Sequence, residues 1–211
     1  GSFLTGVAVV LACIGCDSAP PIPTAVVVTY GAVYQTLEGF GAAGAYDAAE
    51  LAAFGQANPE IYDWLFGTPA SGQGLGLDIF RIKNTYQHPD DANLAAIGSI
   101  VAAGKARNPD LKTELVAWSP IASLKSNGDI NHGGTLAQSG AAYDYATYAT
   151  WWADSLTVGW AGVGVTADYV SPQNEPDALT DYESCLFAPT ENATYAGYDA
   201  AFDAVHAAIA A

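Results

Sequence analysis

Residues 167–177 read ADYVSPQNEPD: a short strand-like run that delivers an Asn-Glu pair and is followed at once by Pro176. Tyr169 and Val170 favour extended backbone, and the proline interrupts regular structure just behind the carboxylate. A surface loop needs no such arrangement. A carboxylate held at the mouth of a barrel does.

Upstream, short apolar runs alternate with longer helical stretches. KTELVAW at 112–118 and LDIFRIK at 77–83 read as strands, and TAVVVTYGAVYQTLEGFGA at 24–42 reads as two strands about a turn at Gly31. Leu94, Ile97 and Val101 share one helical face behind acidic Asp90 and Asp91. Tyr145, Tyr148, Trp152 and Leu156 step by three and four, as do Tyr195, Tyr198, Phe202, Val205 and Ile209. Trp151, Trp152 and Trp160 then read as core under an outer helix. The order β-α-β-α-β-α-β-α, with strands at intervals of roughly 35 to 55 residues, is that of crossover units in a parallel sheet.

Two architectures use such units. A nucleotide-binding doubly wound sheet needs a phosphate loop after its first strand. GFGAAG at 39–44 is glycine-rich, but a lone glycine-rich stretch is weak support and no acidic residue caps the following strand as that fold requires. Instead Arg81, Trp118 and Glu175 fall at the C-terminal ends of the predicted strands, where barrel enzymes build their sites. The expected fold is therefore an α/β (β/α)8 TIM barrel, represented by about its first four β/α units.

Composition narrows the partners. The 211 residues are enough for a sizeable core, and 51% hydrophobic content excludes disorder. Six Lys and Arg against 22 Asp and Glu give a formal charge of −16. That excludes nucleic acid and anionic membrane surfaces, which require clustered cations. Residues 1–16, GSFLTGVAVVLACIGC, are apolar but short for a bilayer span. They read as the hydrophobic part of an export signal, followed by a Pro-rich tether to residue 23. A lipoprotein reading puts the lipid on Cys16, or on Cys13; plain secretion is the alternative. Either way the expected location is outside the cell or lipid-anchored at a bacterial cell envelope. The Cys13/Cys16 pair lies in the apolar segment with only Cys185 to help it, so no metal or cofactor is expected. Cys185 reads as a free, partly buried thiol. The absence of methionine fits a piece of a longer protein.

QTLEGFGAAGA at 35–45, LDIFRIKNTYQ at 77–87, AWSPIASLKSNG at 117–128 and VSPQNEPD at 170–177 together resemble glycoside hydrolase family 30. That family belongs to a clan of retaining β-glycosidases built on (β/α)8 barrels. The resemblance covers roughly residues 35–211 and implies the first half of a catalytic barrel, with 24–34 contributing strands to a side β-domain. It implies a retaining endo-β-glycanase acting on a polysaccharide, xylan-type in the first instance. β-1,6-Glucanase, galactanase or glucosylceramidase activity is the alternative within the clan, and a non-catalytic carbohydrate-binding module the alternative outside it.

Such enzymes need two carboxyl groups about 5 to 5.5 Å apart. The resemblance makes Glu175 the general acid/base, has Asn174 hydrogen-bond the sugar 2-hydroxyl, and has Arg81 orient the nucleophile. The nucleophile would be a Glu on a seventh strand not contained in these residues; Glu183, Glu191, Asp177 and Asp181 follow no strand of the right order. Trp118 offers an indole face to a sugar or packs at the barrel mouth. Tyr86, His88, Asn127 and His132 lie on loops after the second and third strands, either touching substrate or serving as ordinary loop residues. Glu38 reads as structural.

Overall fold

The computed structural model describes Gly31 and residues 35–72, 74–89 and 93–210, in two units, Gly1–Glu38 and Gly39–Ala211. Cys16 and the expected signal and tether at 1–23 lie outside the described residues. So do the strands expected at 24–34, Gly31 apart, and the Asp90/Asp91 pair. In the first unit, residues 35–38 carry no helix or strand.

In Gly39–Ala211 the apolar runs become strands: β1 (Gly41–Ala43), β2 (Ile79–Lys83), β3 (Lys112–Val116), a two-residue hairpin pair β4 (Gln138–Ser139) and β5 (Ala142–Tyr143), and β6 (Tyr169–Ser171). β1, β2, β3 and β6 form one parallel sheet in that order. The register aligns Ala43, Arg81, Glu114 and Tyr169 across it. Helices carry each crossover. α1 (Ala48–Ala57) and α2 (Glu60–Phe66) join β1 to β2, and α3 (Asn93–Lys105) joins β2 to β3. α4 (Tyr145–Asp154), extended by a π-helical turn at Ser155–Trp160, leads to β6; α5 (Tyr198–Ile209) follows it. Sequential parallel strands separated by helices are the units expected of a (β/α)8 barrel, seen here in part.

The period of two along each strand divides the sheet. Phe80, Ile82, Thr113 and Leu115 are buried on one face, with Phe80 edge-on to Phe66 of α2 at 5.8 Å. Leu94, Ile97, Val101, Trp151, Trp152 and Trp160 are buried with them. Each large apolar side chain so buried contributes about 1.5–3 kcal/mol relative to exposure. The other face carries Arg81, Lys83, Glu114 and Tyr169, so charge collects where the helices are not. β1 can lie close to β2 only because it lacks bulk: a Cβ on Gly41 would meet the Ile79 carbonyl at 2.5 Å, and one on Gly44 would strike the Phe80 ring.

α4 starts where Asp144 caps it, its carboxylate accepting from the Thr147 backbone N–H at 3.0 Å and the Thr147 hydroxyl at 2.7 Å. α5 starts at Tyr198, three residues later than its apolar spacing suggests, because Tyr195 is held in a turn by the Asn192 side chain. Phe202 and Ile209 of α5 stay 46% and 38% exposed beside β6. Cys185 is free and fully buried rather than partly so; burial pushes its thiol up to about 12 despite the nearby Lys125. Among the described residues no helix is long and apolar enough to cross a membrane.

Candidate active site

Beyond Ser171 the chain stays bonded to the exit of β3. The Asn174 N–H donates to the Ala117 carbonyl at 2.7 Å. Gln173 Nε2 donates to the Trp118 carbonyl at 2.6 Å, and the Tyr148 hydroxyl to the Pro172 carbonyl at 2.6 Å. These bonds fix the backbone that carries Asn174 and Glu175 from two sides. Glu175 itself is exposed and adopts a left-handed conformation, φ 46°.

The other described non-glycine residues with positive φ are Asp47, Gln87 and His132. One therefore lies in each loop that follows β1, β2, β3 and β6, all at the C-terminal end of the sheet. Such backbone costs of order 1–3 kcal/mol per residue. The sheet thus concentrates strain at the end where barrels do chemistry. Replacing Glu175 by Gly removes the clash of Cβ with its own backbone, so Glu175→Gly should raise stability in urea unfolding by about 1 kcal/mol. A loss of stability there would show that the side-chain contacts of Glu175 outweigh the strain.

Arg81, Asn174 and Glu175 form a chain of contacts. Arg81 Nη2 donates to Asn174 Oδ1 at 2.8 Å, and Asn174 Nδ2 donates to Glu175 Oε2 at 3.0 Å. With its oxygen taken by a guanidinium, the amide can present only its NH2 group to the carboxylate. Sequence reading sets the expected partner of Arg81, the nucleophile carboxylate, outside these residues. Within them, besides Asn174, Arg81 faces its register neighbour Glu114, Nε to Oε2 3.7 Å, and lies over the Trp118 ring at 4.7 Å.

That stacking changes the reading of Trp118. It is only 7% exposed, with Arg81 over its ring and Tyr46 edge-on to it at 5.8 Å and 72°, so it forms a wall more than an open platform. Tyr46, in the loop after β1, is 52% exposed, with the Lys83 ammonium 5.2 Å from its ring centre. Its hydroxyl is raised above the usual phenol value by burial, then by the charges of Glu183, Tyr182 and Glu175, against Arg81. It therefore keeps its proton at neutral pH.

Lys83 in turn meets Glu183 at 2.5 Å, both almost fully buried. His88, also buried, places Nδ1 3.6 Å from Glu183 Oε1, too far for a hydrogen bond. Burial pushes the Glu183 carboxyl up, yet His88 and Lys83 together outweigh it and hold it below the usual carboxylate range.

The remaining predicted residues stand apart from this cluster. Tyr86 packs its ring where a Cβ on Gly159 of the π-helical turn would lie, and its carbonyl accepts from Trp151 Nε1 at 3.2 Å; it faces the helix layer. Asn127 donates its side-chain amide to the carbonyls of Asn131, His132 and Gly133, the shortest at 3.1 Å, and so braces its own loop. His132 is exposed and pairs with Asp129 at 3.0 Å. The same loop is anchored from below by the buried Lys125, whose ammonium donates to the Ile130, Asn131 and Ser184 carbonyls at 3.0, 3.3 and 2.5 Å.

Sequence reasoning misses Tyr46, Lys83 and Glu183. Lys83 had a signal: it lies two residues beyond Arg81 on one strand and so on the same face. Tyr46 and Glu183 had none, since long-range packing alone places them.

The fold is that of glycoside hydrolase family 30 barrels. The catalytic domain of xylanase C of that family, from Talaromyces cellulolyticus, matches with a TM-score of 0.62 and 22% identity over 83% of this chain and 45% of its own. A family 30 subfamily 8 xylanase from Clostridium acetobutylicum matches with 0.53 and 27% over 73% and 36%. An endo-β-1,6-glucanase matches with 0.62 and 20% over 83% and 41%. The chain thus spans less than half the length of these neighbours. No family model matches it, and no curated protein does.

Proposed function

We propose that this chain is the acid/base-bearing part of a retaining endo-β-glycanase that hydrolyses a β-linked polysaccharide, xylan-type in the first instance. The observation that carries the reading is the contact chain from Arg81 through Asn174 to Glu175, in the fold of family 30 glycosidases. Glu175 would give its proton to the glycosidic oxygen as the bond to the anomeric carbon breaks. A second carboxylate would bond to that carbon, and Glu175 would then take a proton from the water that releases the sugar. Asn174 Nδ2, which donates to the Glu175 carboxylate here, would turn to the 2-hydroxyl of a bound sugar.

Glu183 does not suit the second role, because it is buried and held by Lys83. The nucleophile is proposed to come from a strand outside these residues. Accordingly, a polypeptide of these 211 residues should show no turnover of xylan or of an aryl β-glycoside; measurable turnover would overturn the two-part assignment. The deciding experiment digests a panel of β-linked polysaccharides with the full-length gene product and follows the anomeric configuration of the first product. Retention on xylan supports the reading, whereas release from β-1,6-glucan alone moves the substrate to the other neighbour's class. Export, with or without a lipid on Cys16, belongs to the same proposal and is read by fractionating cells and labelling with a fatty acid.

A further inference from the structure

Tyr46 is a half-exposed aromatic residue at the end of the sheet that carries Glu175. It follows β1 by three residues, and Asp47 behind it takes a left-handed turn, φ 55°, before α1 begins. The side chain stays half exposed and does not join the core. Its surroundings hold it from behind: the Trp118 ring meets it edge-on, and the buried Lys83 ammonium lies over its ring. Lys83 cannot swing away cheaply, because Glu183 holds it in a buried pair. Trp118 in turn lies under the Arg81 guanidinium, which donates to Asn174, the residue bonded to Glu175, so a chain of contacts ties Tyr46 to that cluster. An exposed aromatic alone means little. One braced by a buried ion pair, a tryptophan and the acid/base cluster is a built surface.

We infer that Tyr46 contacts substrate and sets specificity, its open ring face receiving the axial C–H face of a pyranose in a β-linked glycan beside Glu175. The inference rests on the glycosidase reading above and goes beyond it by assigning the sugar platform to Tyr46 in place of Trp118. The ring supplies apolar area while the hydroxyl can donate to a sugar oxygen, a pairing of functions for which tyrosine suits glycans. Sugars whose hydroxyls are equatorial present an unbroken C–H face to it; an axial hydroxyl on the facing side would not fit.

The test uses the protein that carries the complete barrel, with xylohexaose and a β-1,6-linked glucotetraose as probes. Tyr46→Phe, Tyr46→Leu and Tyr46→Ala are compared with wild type for KM, kcat and unfolding midpoint, with Glu175→Gln as the reading's own control. Tyr46→Ala should raise KM on the cleaved probe by about 10- to 100-fold, the loss of one buried aromatic contact. Tyr46→Leu should lie between, and Tyr46→Phe within about threefold of wild type. Unfolding midpoints should stay close together, since the residue is half exposed, and a variant that fails to fold is replaced in the comparison by Tyr46→Leu. If Tyr46→Ala or Tyr46→Leu keeps the wild-type KM while Glu175→Gln is inactive, the platform assignment is wrong and the glycosidase reading stands. If wild type cleaves and binds neither probe, both fall.

Discussion

Glu175→Ala, in the protein carrying the complete barrel, should lose about 10²- to 10⁴-fold in turnover of natural polysaccharide. A sugar alkoxide is a poor leaving group, and without a proton on the glycosidic oxygen the bond to the anomeric carbon breaks slowly. An aryl glycoside with an acidic phenol leaves without that help, so the first step should survive while the second, which needs Glu175 as a base, should stall. Added azide fits the space of the missing carboxylate, attacks without base assistance and should restore turnover as a glycosyl azide. Glu175→Gly should share the catalytic defect but not the backbone strain, which separates chemistry from stability at one position. Unchanged xylan hydrolysis in either variant would remove Glu175 from the mechanism.

The second large effect lies behind the cleft. Lys83→Met leaves the Glu183 carboxylate buried without its cation, and breaking a buried pair from one side typically costs about 3–5 kcal/mol. Against a total stability of about 5–15 kcal/mol, that is enough to bring a small domain near its unfolding threshold. The double variant Lys83→Met, Glu183→Leu should recover most of the loss, because two apolar groups need no partner. Urea unfolding of the two single variants and the double variant closes the cycle. The pair also shapes acid stability. The Glu183 carboxyl lies below its ordinary value in the folded protein, so its contribution is complete above the unfolded carboxylate value of about 4.3 and is lost as pH falls through the lower folded value. The double variant should therefore show a shallower fall in stability on the acid side. An unchanged acid slope would mean that Glu183 contributes nothing there.

Much of this architecture was legible because periodicity and burial coincide. LDIFRIK and KTELVAW alternate a helix-facing and an inward-facing set, and β2 and β3 fall within them. Leu94, Ile97 and Val101 mark α3 by spacing and are all buried. Where the pattern is flat, the reading loses resolution. α1, AAELAAFGQA, is rich in alanine and has no clear stripe, so the α1–α2 pair goes unnoticed inside a single crossover. β4 and β5 are two residues each, too short to alternate. In α5 the spacing predicts a buried stripe, yet Phe202 remains exposed, since periodicity records which face is apolar and not whether something covers it.

The site divides along the same line. Glu175 and Asn174 announce themselves by type and by their place after a strand. The partners of Arg81 lie 33 and 93 residues away in sequence, and the Lys83–Glu183 contact spans 100; no local signal encodes pairings over such separations. For the same reason the bracing bonds of Asn127 to its own loop are not legible in sequence, where it reads either as a substrate contact or as an ordinary loop residue.

That brace reaches beyond its own loop. Lys125 from below and Asn127 from within hold six carbonyl contacts across residues 130–133 and Ser184. A segment so tied has little conformational freedom left to surrender to any ligand that docked against it, and immobilising a loose side chain or loop is among the larger costs of binding. Selection among ligands at this loop would then follow shape mismatch with a stiff boundary, and relaxing the boundary by Asn127→Ala would broaden what is accepted while weakening each acceptance.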